Sequence, residues 1–111
     1  MAYDEELADR VRDLIMGGAD ISERRMFGGL AFLVNGHMSA TVSRQGGLMA
    51  RVSPDDAEAL LGRAGVEPMV MRGRPMRGWL RVDPALVADD AELQEWVDRC
   101  VGFAETLPPK G

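Results

Sequence analysis

Two glycine turns in the middle of this 111-residue chain restrict its fold more than any other feature. Asn35-Gly36 is a strong hairpin signal, because both positions tolerate the positive φ that a two-residue turn demands. Arg44-Gln45-Gly46-Gly47 reads as a second turn. Between them, His37 to Ser43 alternates, with Met38, Ala40 and Val42 inward and Ser39, Thr41 and Ser43 outward. Leu48, Ala50 and Val52 continue as a third strand. The segment Glu23 to Val34 before the first turn is apolar on both parities, which suits one central strand covered on both faces. Three strands joined by two tight turns make an antiparallel meander.

The flanks of the meander are helical. Tyr3, Leu7, Val11, Leu14 and Ile15 recur at helical spacing behind an acidic start, and Gly17-Gly18 supplies the stop. Ser53-Pro54-Asp55-Asp56 opens a second helix with apolar positions Ala57, Leu60, Leu61 and Ala64. Val66 to Val82 returns to extended character, with a short strand at Met69 and Met71, a break at Gly73-Arg74-Pro75, and alternation from Met76 to Val82. Asp83-Pro84 opens a single turn. A last helix starts near Asp89, with Glu92 as its capping-box partner and Leu93, Trp96, Val97, Cys100, Val101 and Ala104 as its apolar stripe. The order α-βββ-α-ββ-α groups strands instead of alternating them with helices. It predicts one α+β domain over 1–111, ordered from about 4 to 108, with a mainly antiparallel sheet covered by helices.

Composition narrows the chemistry. A single cysteine, Cys100, forms no internal disulfide, and Cys100 and His37 are the only cysteine and histidine available to a metal. The acidic pairs Asp55-Asp56 and Asp89-Asp90 are explained as helix starts without a metal. His37 and Ser39 stand two residues apart, but no sequence feature brings a carboxylate to them, so His37 reads as an exposed turn histidine. Cys100 reads as a buried hydrophobe. No catalytic, cofactor-binding or metal residue is assigned. The N-terminus is acidic where a signal peptide would be basic, and the longest mostly apolar stretch, Met26 to Val34, falls well short of the roughly 20 residues that span a bilayer. A cytoplasmic location is expected, with the prolines at 108 and 109 in a frayed tail.

The net charge of −5 is unevenly spread. Residues 22–82 hold nine arginines against five acids, while the flanking helices are acidic. Alternation predicts Arg77, Trp79 and Arg81 on one strand face, with Arg25 and Arg51 nearby, as a surface for a protein partner. The competing reading packs Trp79 under a helix and pairs the arginines with helix acids. Met69, Met71 and Met76 cluster near Trp79 as core or as a methionine-lined groove. Two further readings are direct nucleic-acid binding through the basic middle, and an anion or small-molecule pocket near Gly28-Gly29 and Gly73-Arg74. A homodimer is also expected if an edge strand or apolar sheet face needs covering.

Arg25-Met26-Phe27-Gly28-Gly29, the apolar strand after it, Asn35-Gly36 and Met38 resemble the N-terminal domain of the TfoX/Sxy family. Gly73-Arg74-Pro75-Met76-Arg77-Gly78-Trp79, Val82-Asp83 and the tryptophan-bearing last helix extend the resemblance from about Asp4 to Pro108. It implies a secretion-chaperone-like α+β fold and a non-catalytic bacterial regulator. Longer members regulate natural competence, cooperate with a cyclic-AMP receptor protein at promoters, and carry a second, helix-hairpin-helix domain. For that domain 111 residues leave no room, so a single-domain member is expected. Met26, Phe27, Gly28 and Gly29 read as a structural motif.

Overall fold

Asn35 and Gly36 both adopt left-handed backbone, at φ 52° and 86°, and close the hairpin between β2 (Gly29–Val34) and β3 (His37–Val42). Arg72 and Gly73 repeat the geometry, at φ 53° and 77°, between β5 (Val66–Met71) and β6 (Arg74–Val82). With β1 (Ile21–Met26) and β4 (Leu48–Arg51), these strands form one six-stranded sheet in the order β1-β2-β3-β4-β6-β5, antiparallel throughout. The computed structural model describes residues 3–15, 20–26 and 28–108; the expected Gly17-Gly18 stop, Phe27 and the last three residues lie outside these.

The α+β class holds, and one strand divides. Residues 23–34 are not a single central strand. They belong to a hairpin in which Arg25 pairs with Leu30 and Met26 with Gly29. Gly28 sits in the reversal at φ 77°, and a Cβ on Gly29 would collide with the Val42 carbonyl of the neighbouring strand. Only β2 shows the two-sided burial expected of the whole segment, whereas β1 is an exposed edge. Both edges are blunted against further pairing: β1 carries Glu23, Arg24 and Arg25, and β5 carries Pro68.

Each helix starts on a side-chain cap. Asp4, Ser53, Asp83 and Asp89 accept from backbone N–H groups at the heads of α1 (Glu5–Leu14), α2 (Pro54–Leu60), α3 (Pro84–Val87) and α4 (Asp90–Glu105), at 2.8–3.1 Å. Half of the expected capping box forms at α4. The Glu92 N–H donates to Asp89, but the Glu92 carboxylate turns to Arg63 at 2.6 Å.

Alternation then divides the sheet into two faces. Leu30, Val42, Leu48, Val82 and Val66 are successive cross-strand partners and form one core rung. Phe32, Val34, Ala50 and Leu80 lie on the same side, beneath Leu7, Val11 and Ile15 of the first helical segment and Trp96, Val97 and Cys100 of α4. Trp96 is fully buried; removing a side chain of that size from a core costs about 3–5 kcal/mol. A register shift between Ala31 and Leu33 pairs Met38 with Leu33, so Met38 leaves the inward row predicted for it beside Ala40 and Val42. No helix among the described residues is long and apolar enough to cross a membrane.

Arg12 ties α1 to the sheet edge. It meets Glu23 with two hydrogen bonds, at 2.5 and 2.8 Å, and its guanidinium lies 6.0 Å from the Phe32 ring centroid. The hydrogen bonds from Arg12 hold the Glu23 carboxyl below its ordinary range. A lowered carboxyl pKa adds stability above its unfolded value and loses it as pH falls through the folded value. The destabilisation caused by Arg12→Ala, measured by urea unfolding, therefore shrinks between about pH 7 and pH 3.

Two glycines separate crowding from chain entropy. Gly47 has φ 74°, and a Cβ there would strike the Val82 carbonyl and Pro84. Gly102, in the exposed interior of α4, has open space around it. Gly47→Ala is expected to cost roughly 2–3 kcal/mol, and Gly102→Ala to gain about 0.5–1 kcal/mol, both read from urea midpoints.

Candidate binding face of the sheet

Opposite the core rung runs a second row. Arg24, Ala31, Thr41, Met49, Arg81 and Glu67 are successive cross-strand partners across all six strands. Every buried residue of the four helices belongs to the core on the other face, so among the described residues no helix covers this row. Its small members, Ala31 and Thr41, are buried all the same, as are Leu33, Ser39 and Ser43, and none of these five joins the helix–sheet core. Ser39 donates to the Phe32 carbonyl at 2.9 Å, while the Thr41 hydroxyl finds no partner.

Towards β5 the row opens into a groove of about 510 Å³. Met49, Met69 and Met71 supply its apolar wall, and Arg44 and Arg81 its charge, with Ser43 and Gln45 at the β3–β4 turn. The arrangement follows from strand parity: Met49 and Arg81 are partners, and Met69 and Met71 alternate with the exposed Val70. A neighbouring hollow of about 270 Å³ shares Gln45 and Arg81 and adds the carboxylates of Glu67 and Asp83.

Among the described residues, three of the arginines are ion-paired. Arg10 pairs with Asp90 at 2.7 Å, Arg12 with Asp9 and Glu23, and Arg63 with Glu92 at 2.6 Å. Arg12–Asp9 lies within α1; the others tie α1 to α4, α4 to the loop after α2, and α1 to the helix-side face of β1. Among the described residues, Arg24, Arg44 and Arg81 hold no ion pair, although Glu67 is the cross-strand partner of Arg81, and neither do Arg25, Arg51 and Arg77 elsewhere on the sheet.

The five residues proposed from sequence scatter. Arg81 lines the groove. Trp79 and Arg51 are cross-strand partners at the end of the sheet, where the Arg51 guanidinium lies 5.9 Å from the Trp79 ring centroid and 5.6 Å from that of Phe103. Arg51 thus stacks between a strand and α4, and Trp79 is half-buried rather than covered by a helix. Arg77 does not share a row with Arg81. Between Pro68–Leu80 and Val70–Pro75, five steps along β6 match two along β5, and Gly78 takes φ 84° within the mismatch. An odd difference reverses the alternation. Arg77 accordingly lines a separate apolar cleft of about 270 Å³ beside α2, together with Met76 and Trp79, so Arg77 and Trp79 of the expected set do come together there. Arg25 pairs with Leu30 and so belongs to the helix-side face; its neighbour Arg24 faces the groove side.

The alternative pocket between Gly28-Gly29 and Gly73-Arg74 does not form. The two turns lie at opposite ends of the strands near opposite edges of the sheet, about four strand spacings or roughly 19 Å apart across it. Gly28 instead lies under the Arg44 side chain, whose Cδ would be 2.6 Å from a Cβ at that position. Met26 is half-buried opposite Gly29, so the described part of the motif serves the hairpin. Sequence reasoning missed Arg24, Arg44 and Met49 as members of the face. The parity of Met49 in the Leu48–Val52 alternation was available to find it; Arg24 and Arg44 depended on the unseen hairpin.

The nucleophile and base candidates are engaged elsewhere. His37 Nε2 lies 2.6 Å from the Pro108 carbonyl and pairs with no serine. Burial pushes the Cys100 thiol up to about 12. No group of three metal-ligating side chains occurs among the described residues.

These features define an α+β domain whose single antiparallel sheet is backed by helices on one side and carries an unneutralised arginine–methionine groove on the other. The family model of the TfoX N-terminal domain matches residues 13–104, and the chain belongs to that family. No curated protein and no solved structure matches it.

Two outcomes test this geometry. A thiol reagent at about pH 8 should leave Cys100 unmodified in the native protein and react fully once urea unfolds it. Arg51→Ala should lower stability by about 1–2 kcal/mol through its two ring contacts and shift the emission of the half-buried Trp79.

Proposed function

We propose that this TfoX N-terminal domain is a non-catalytic regulatory module that holds a protein partner on the helix-free face of its sheet. The observation that carries this reading is the groove itself: apolar methionine walls beside arginines that have no carboxylate, on a face no described helix covers. Methionine adapts to varied apolar surfaces, and arginine adds directional contacts to carboxylates. The engagement of His37, Ser39 and Cys100 in structural roles supports a module without a nucleophile. A transcription regulator in the cytoplasm is the partner that the family resemblance implies. Direct nucleic-acid binding has less support, since no aromatic side chain among the described residues lines the groove and the chain carries net −5.

A photo-cross-linking residue such as p-benzoylphenylalanine at Met71 tests the reading, with the same residue at Val70 as control. Val70 is 55 % exposed and alternates with Met71 along β5. In native cells, irradiation should give discrete protein adducts from position 71 and not from position 70. Equal adducts from both positions, or none from position 71, would count against this face.

A further inference from the structure

We infer that the groove between β4 and β5 selects an acidic amphipathic segment of its partner, with apolar side chains on Met49, Met69 and Met71 and carboxylates on Arg44 and Arg81. This rests on the proposed protein-binding role and adds the chemistry of the bound segment. Charge complementarity carries it: two guanidiniums stand beside an apolar wall. Arg10, Arg12 and Arg63, which serve the helix layer, each hold a carboxylate from the chain itself. Among the described residues the two groove arginines hold none, even though Glu67 is the cross-strand partner of Arg81. A guanidinium presents a planar fork that a carboxylate fills with two parallel hydrogen bonds, and the methionine wall beside it favours an apolar anchor.

The same surroundings disfavour a polyanion. Glu67 and Asp83 line the hollow that adjoins the groove across Arg81. A nucleic-acid strand carries a phosphate at every nucleotide and would bring some against these carboxylates. A peptide places one or two carboxylates on the arginines and uncharged residues elsewhere. Arg81 thus divides the surface into a cationic half and an acidic half, which limits how many charges the segment carries and where.

The test selects a random 12-residue peptide display library on the full chain. The enriched peptides are then titrated into protein labelled with 13C at the methionine methyl groups. Enriched sequences should gain Asp, Glu and large apolar residues over the input and lose Lys and Arg. They should shift the Met49, Met69 and Met71 methyls and leave Met76, which lines the other cleft, unmoved. The double substitution Arg44→Gln and Arg81→Gln should weaken binding at least about tenfold, with the thermal midpoint checked to show that the fold persists. Arg25→Gln, on the helix-side face, should leave binding unchanged. Neutral or basic peptides that shift the three groove methyls would overturn the acidic partner while leaving the face protein-binding. Failure of any sequence to enrich, shifts confined to other methyls, or tighter binding of a 12-nucleotide single strand at these methyls would overturn the inference. If photo-cross-linking from position 71 also fails, the protein-binding role falls with it.

Discussion

The seating of α4 across the middle of the sheet is the constraint on which the rest of the structure depends. The helix lies chiefly over β3 and β4, where Ala40 and Ala50 face each other as fully buried cross-strand partners. Small side chains there let the helix come close, and Trp96, Val97, Cys100 and Ala104 fill the space above. With the apolar parity of every central strand committed to that contact, the opposite parity is left without a helix. The groove is therefore a consequence of one-sided packing: the residues that cannot reach the core line the face that nothing described here covers.

Acidic helices at both ends of the chain flank a basic strand region, yet among the described residues a single ion pair, Arg12 with Glu23, joins helix to sheet, and there the arginine belongs to the helix. Exposed ion pairs of this kind contribute little stability individually. They engage Arg10, Arg12 and Arg63, and among the described residues the groove arginines keep their hydrogen-bonding capacity unspent. A chain with net −5 thereby presents a local cationic surface.

Much of the fold was legible locally. Asn35-Gly36, Ser53, Asp83-Pro84 and Asp89 all do what their turn and cap chemistry predicts, because each depends on a few adjacent residues and on φ values that few side chains tolerate. The α+β class follows from grouping such elements along the chain. The first hairpin was not legible. Its reversal at Gly28 interrupts a run that is apolar on both sides of it, and no polar turn residue marks the place. The helix-free face was half legible: Arg81 and the methionines of β5 were singled out, whereas Arg77 and Arg25 belong to other surfaces.

The amino-acid order by itself determined where the chain turns, where its helices begin, and that one class of antiparallel sheet results. These are short-range matters of glycine stereochemistry, capping and period. Which arginine shares a face with which methionine was decided only in the tertiary structure. Three extra residues absorbed around Gly78, or one at the register shift in β2–β3, send every later side chain to the other side of the sheet. Such insertions form where neighbouring strands compete for alignment, and no stretch of one strand records the outcome.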